Sequence, residues 1–125
     1  MKTRVLIVDD SSLARRTTRQ AFEQAGFEVE EATDGMEALE RYFLRPHDLV
    51  VLDMVMKGMY GLEVLAKLKE IQPDVRVLVA TADIQKTTAE QVRAAGAAGL
   101  LNKPIVRTAL VEAARKVLEG GTTWN

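Results

Sequence analysis

The sequence has no cysteine and only one histidine among its 125 residues. That excludes a disulfide framework, a thiol nucleophile and a thiolate metal site, and it fits a reducing compartment. No apolar stretch approaches the roughly 20 residues of a membrane span. The N-terminal run in MKTRVLIVDD is too short for a signal sequence and ends in acid. Charge of one sign is also lacking. Lys and Arg number 17 against 18 Asp and Glu, for a formal net charge of -1, so no long-range field recruits nucleic acid or an anionic membrane, and charge arguments have to be local. Low-complexity stretches, internal linkers and sequence repeats are missing too. The expectation is a cytoplasmic protein with no direct nucleic-acid or membrane partner.

What is present is a composition able to fold. Hydrophobic residues make up 47% and charged residues 28%, and the length is close to the commonest domain size. Short runs rich in Val, Leu and Ile predict buried strands at Val5 to Val8, Leu49 to Leu52, Val75 to Ala80 and Gly99 to Leu101, and the alternating stretch Phe27 to Glu31 predicts a half-exposed one. Helical spacing lies between them: Leu13, Thr17, Ala21 and Ala25; Met36, Leu39, Tyr42 and Phe43; Leu62, Leu65, Leu68 and Ile71; then Val92 and Ala95, and Ala109, Ala113 and Val117. Gly26 marks a helix end, Thr33-Asp34-Gly35 a helix start, and Pro46 and Gln72-Pro73-Asp74 further stops. Five βα units in alternation predict an α/β fold, a doubly wound parallel sheet with helices on both faces. The domain is expected to span residues 1–120, with 121–125 (GTTWN) a flexible C-terminal tail.

In such a sheet, ligands bind beyond the carboxyl ends of the strands, where strand order reverses. The strand ends carry Asp9 and Asp10, Asp53, Thr81, and Asn102 and Lys103. Two unit charges about 4 Å apart repel by about 4 kcal/mol at an effective dielectric near 20, so three carboxylates at one end call for a cation. Oxygen ligands without His or Cys suit a hard ion, and Mg2+ completes its shell with water and phosphate oxygens. His47 falls at the other end of the sheet and reads as a loop residue. Lys103, the Thr81 hydroxyl and the amide of Ala82 add groups suited to a tetrahedral dianion. Each piece has a plain alternative: an Asp after a strand is commonly a turn or helix cap, and Asn102-Lys103-Pro104 could be an ordinary turn. Those alternatives do not explain four such features at the same end of four strands.

The acid pair in VLIVDDS, the aspartate in LVVLDMVMKGMYGLEVL, the hydroxyl residue in VLVATAD and the lysine-proline in GAAGLLNKP together resemble the receiver domain of two-component response regulators, from about Lys2 to Gly120. The resemblance implies a flavodoxin-like sheet of order 2-1-3-4-5 with five helices. It implies that Asp53 is phosphorylated by a partner histidine kinase, that Asp10, Asp53 and the Val55 carbonyl ligate Mg2+ with Asp9 acting through water, and that Lys103 and Thr81 contact the phosphoryl group. The domain would assist its own modification without being an enzyme on a separate substrate, and signal to an effector or phosphatase by protein contact. TADIQKTT resembles stand-alone, chemotaxis-type regulators. The family usually has proline where Lys57 stands and a polar or acidic residue at Tyr60; many members carry an aromatic switch residue where Leu100 stands; Val55 and Asp83 occupy positions that tune phosphoryl lifetime. Among rivals, an aspartate-nucleophile phosphatase needs a second Asp where Val55 stands, a nucleotide or flavin module needs a Gly-rich loop where Asp-Asp-Ser-Ser stands, and a degenerate docking receiver would not keep the acidic set.

Overall fold

A computed structural model describes residues 2–56, 58–83 and 85–124. Five strands alternate with five helices: β1 (Arg4–Val8), α1 (Ser12–Gln24), β2 (Glu28–Ala32), α2 (Gly35–Leu44), β3 (Leu49–Asp53), α3 (Gly61–Ile71), β4 (Val77–Thr81), α4 (Lys86–Ala94), β5 (Gly99–Asn102) and α5 (Arg107–Leu118). All strand pairs are parallel, in the order β2-β1-β3-β4-β5. The fourth strand begins at Val77, two residues later than its apolar run, with Val75 buried ahead of it. Lys57 and Ile84, and with them part of the loop and TADIQKTT comparisons, lie outside the described residues, as does Asn125.

The strands are apolar on both sides because both faces are covered. Leu6, Val8, Val50, Leu52, Val77 and Val79 face α2, α3 and α4, whereas Val5, Ile7, Leu49, Val51 and Leu78 face α1 and α5. Helix starts follow local chemistry. Ser11 caps α1, its hydroxyl accepting from the Ala14 N–H at 3.2 Å. Asp34 caps α2 through the Glu37 N–H at 2.8 Å, and the Glu37 carboxylate returns a bond to the Thr33 N–H at 3.0 Å.

The helix faces match the spacing in part: the predicted Ala21, Tyr42, Val92, Ala113 and Val117 are buried, and other members of the predicted stripes are not. Leu13, Met36 and Phe43 are strongly exposed, and Thr17 and Ala109 also face outward. The inward faces are Ala21 and Phe22 on α1, Ala38 and Tyr42 on α2, and Leu110, Ala113 and Ala114 on α5. On α3 the predicted Leu65 and Leu68 are buried, joined by Val64, while Ile71 lies half out.

Two further findings concern the periphery. His47 is a loop residue but a buried one. Its Nε2 lies 2.7 Å from the Glu30 carboxylate, which assigns the N–H to that nitrogen, and its ring stacks on Tyr42. The segment expected to fray makes specific contacts as far as Trp124: the Thr123 N–H donates to the Ala98 carbonyl at 3.0 Å, Thr123 bridges Gly99, and Trp124 packs on the α4 side of the sheet beneath the Arg93 guanidinium.

Candidate functional site

The site is built where the chain leaves the carboxyl ends of β1 and β3, neighbours at the point where strand order reverses. Val8 pairs with Leu52 in register, so Asp9 and Asp53, one residue further on, arrive side by side. Each of Asp9, Asp10 and Asp53 offers a carboxylate oxygen, and these atoms all lie within 4.8 Å of one another. Asp9 and Asp53 are buried, whereas Asp10 is exposed.

Lys103, arriving from the β5 end, supplies the counter-charge. Its Nζ lies 2.9 Å from Asp9 Oδ2 and 3.4 Å from Asp53 Oδ1. The other Asp9 carboxylate oxygen accepts from the Ser11 N–H at 2.9 Å, so the aspartate does serve as a turn cap, in addition to its place in the cluster. Burial pushes the Asp53 carboxyl above its ordinary range; Lys103 opposes that shift, Asp9 reinforces it, and a hydrogen bond from the Val55 N–H opposes it. Burial alone would lower the Lys103 ammonium, but the Asp9 hydrogen bond and the two carboxylate charges outweigh it and raise the pKa. The lysine is therefore a fixed cation, and Asp53 a desolvated carboxylate whose reactivity depends on its neighbours.

Thr81 is not turned into this cluster. It is almost fully buried at the end of β4, and its hydroxyl accepts from the Asp83 N–H at 3.0 Å. Asp83 in turn accepts from the Gln85 N–H at 2.9 Å and the Thr88 hydroxyl at 2.6 Å, tying the β4 turn to the start of α4. Ala82 is an exposed residue of that turn. Val55 is exposed in the β3–α3 loop, and Leu100 is partly buried against the core on the α4 side of β5. Asp9, Asp10, Asp53 and Lys103 are thus brought together directly; Val55 is tied to Asp53 through its backbone N–H; Thr81 and Ala82 stay with the β4 turn, and Leu100 stands apart.

Arg15 and Glu31 carry no signal in the sequence, yet they adjoin the site. Arg15 Nη1 donates to the backbone carbonyl of Asp9 at 2.7 Å, and its Nε pairs with Glu31 Oε1 at 3.1 Å. The two ionic partners are sixteen positions apart, on different elements, and no periodicity links them. A cavity of about 240 Å³ opens beside the cluster between α1 and α5, lined by Ala14, Thr18, Ile105 and Leu110 besides Asp53 and Lys103.

The chemistry of this arrangement is that of oxygen donors around one anionic focus with a lysine at its edge. The donor set fits a hard divalent cation. Among the described residues no helix is long and apolar enough to cross a membrane.

Comparison with known proteins agrees in family and in fold. The profile of the response regulator receiver domain matches residues 5–115. The chain is 36% identical over 118 residues to the chemotaxis protein CheY of Thermotoga maritima, covering 94% of this chain and 98% of that one. A CheY-like receiver domain from Methanospirillum hungatei superimposes with a TM-score of 0.91 at 28% identity, over 96% of each chain. The CheX-CheY-BeF3-Mg2+ complex from Borrelia burgdorferi matches with a TM-score of 0.88 at 30% identity, over 92% of this chain and 88% of that one.

Proposed function

The chain belongs to the response regulator receiver domain family, the phosphoryl-accepting switches of two-component signalling, and on that premise we propose that Asp53 is the residue that takes the phosphoryl group. The observation that carries this reading is the Asp53 carboxylate: buried, at the end of a fully buried strand, within reach of two other carboxylates, and 3.4 Å from a lysine ammonium.

An Asp53 carboxylate oxygen attacks the phosphorus of a phosphohistidine on a histidine kinase. An O–P bond forms as the P–N bond breaks, and the bonding pair leaves with the imidazole. Asp10, Asp53 and the Val55 carbonyl would hold Mg2+ directly and Asp9 through water; when bound, the ion offsets the charge of the transferring group. Lys103 neutralises a phosphoryl oxygen, and the Ala82 N–H donates to another. The Thr81 hydroxyl, which accepts from the Asp83 N–H, turns to donate its O–H to the phosphoryl group, and that movement shifts the Asp83 turn and passes the change to α4. Leu100, packed beside α4, carries the same change into β5. Catalysis is positioning and charge neutralisation, confined to the protein's own modification with no separate substrate.

In this reading the protein is cytoplasmic, its domain covers residues 1–120, and its output is contact with an effector protein or phosphatase rather than with nucleic acid or membrane. The test is incubation with Mg2+ and acetyl phosphate followed by mass spectrometry. Wild type gains one phosphoryl group and Asp53→Asn gains none; labelling of Asp53→Asn, or a wild type that never labels, overturns the assignment.

A further inference from the structure

We infer that Arg15 is a positioning residue for the Mg2+ site, acting through the backbone carbonyl of Asp9 to set where Asp10 is delivered. The inference rests on the proposed Mg2+ site and adds to it a partner that touches neither metal nor phosphate.

The Asp9 carbonyl oxygen belongs to the rigid peptide plane that carries the nitrogen and Cα of Asp10. Whatever holds that oxygen fixes the Asp10 backbone. Arg15 Nη1 holds it at 2.7 Å, and the side chain is only 14% exposed. The guanidinium is not free to drift, because its Nε is engaged by Glu31 Oε1 at 3.1 Å while Glu31 Oε2 takes Arg19 Nη1 at 2.6 Å. Glu31 is anchored by β2, where it stands opposite Ile7 of β1. The clamp thus runs from β2 through a side chain of α1 to the residue after β1.

Asp9 is held at its other groups too. Its N–H donates to the Ala32 carbonyl at 3.2 Å, and its carboxylate takes the Ser11 N–H and Lys103. Without Arg15, the peptide plane linking Asp9 to Asp10 loses the hydrogen bond that holds its carbonyl oxygen. A planar fork is required because one group must bond a carbonyl and a carboxylate at once, which a single ammonium does poorly.

Charge and position predict opposite signs, and this makes the inference testable. If Arg15 mattered only as a cation near three carboxylates, its removal would tighten Mg2+ binding. As a positioning residue, its removal weakens binding by about tenfold, the low end of what losing an outer partner of a metal ligand costs.

The experiment is calorimetric titration of Mg2+ into wild type, Arg15→Ala, Arg15→Lys, Glu31→Gln and the Arg15→Ala/Glu31→Gln double variant, with circular dichroism confirming that each is folded. Expected are about a tenfold weaker Kd for Arg15→Ala, incomplete recovery with Arg15→Lys, a smaller loss for Glu31→Gln, and a double variant no weaker than Arg15→Ala alone. A folded Arg15→Ala with unchanged or tighter Kd, full recovery by lysine, or additive losses in the double variant overturns the inference. Should Arg15→Ala not fold, Arg15→Lys, which keeps the charge and loses the fork, decides alone, an unchanged or tighter Kd overturning the inference. A wild type that binds no Mg2+ overturns the proposed site as well, whereas wild-type binding that Arg15→Ala leaves intact overturns only the positioning role.

Discussion

At the scale of single residues, the site depends on close approaches that tolerate little change. Gly61 opens α3, and a Cβ built on it would stand 2.7 Å from the Asp53 carbonyl oxygen and 2.8 Å from Met54 Cα. Both are backbone atoms, so no side-chain rotation relieves the clash. Gly61→Ala is expected to cost roughly 1–3 kcal/mol of stability, as overpacking does, and to slow Asp53 labelling by displacing the end of β3; a melting curve and the mass-spectrometric assay check the two effects. The residues of the candidate site were legible jointly rather than singly: a carboxylate or lysine at the end of one apolar run has an ordinary use as a turn cap, as Asp9 shows, but such groups at the same end of several strands do not. Arg15 and Glu31 were not legible. An arginine on a helix and a glutamate on an alternating strand are ordinary in sequence, and only the fold makes their fork close on Asp9. Thr81 was legible by type but not by state, since its bond to the Asp83 amide depends on the turn it helps to make.

Elements were read correctly in number and order, because strand-helix alternation with turn residues between leaves few topologies open. Faces were read less well. Apolar residues three and four apart admit more than one helical stripe, and Leu13, Met36 and Phe43 belong to the outer one. β2 shows how an edge element is held instead by charge. Glu28, Glu30 and Glu31 pair with Arg4, Arg41, Arg15 and Arg19, and the buried His47 joins Glu30. Burial lowers the His47 pKa below its ordinary 6.5, with Glu30 only partly opposing it. Between the lowered value and 6.5 the unfolded chain binds the proton and the folded one does not, so stability rises with pH across that window. The contribution is present above 6.5 and is lost as the solution is acidified. Burial would raise Glu30, but His47 and Arg41 outweigh it and hold it below 4.5, so its contribution is lost in a second, more acidic window. The fall in Tm on acidification from about pH 7 to about pH 5 should therefore be shallower in His47→Gln than in wild type, measured by calorimetry across pH. Equal slopes would mean that other groups set the acid limit.

For the whole molecule, the sheet divides the interior into two apolar layers and leaves the acidic cluster at their common upper edge. A cation bound there holds β1 and β3 together, so it stabilises the entire fold by mass action. Mg2+ at about a hundred times its Kd adds about 2.7 kcal/mol when it binds the folded state alone. Tm should accordingly rise with Mg2+ in wild type. The rise should shrink more in Asp10→Asn than in Asp9→Asn, since the Asp9 carboxylate oxygens are already engaged by Ser11 and Lys103; thermal scans with and without Mg2+ give the order directly, and the reverse order would make Asp9 the direct ligand.

The segment after α5 has a use of its own. Trp124 is the sole tryptophan of the chain, and it rests against the α4 side of the sheet, 5.6 Å beneath the Arg93 guanidinium, beside a strand pairing between Thr123 and Gly99. An indole so placed has a cation fixed to α4 on one side and an anchor on β5 on the other. A shift of α4 relative to β5 is therefore expected to change the indole's emission, which a spectrum taken with and without acetyl phosphate and Mg2+ checks without label or partner; an unchanged spectrum would mean that α4 and β5 keep their places.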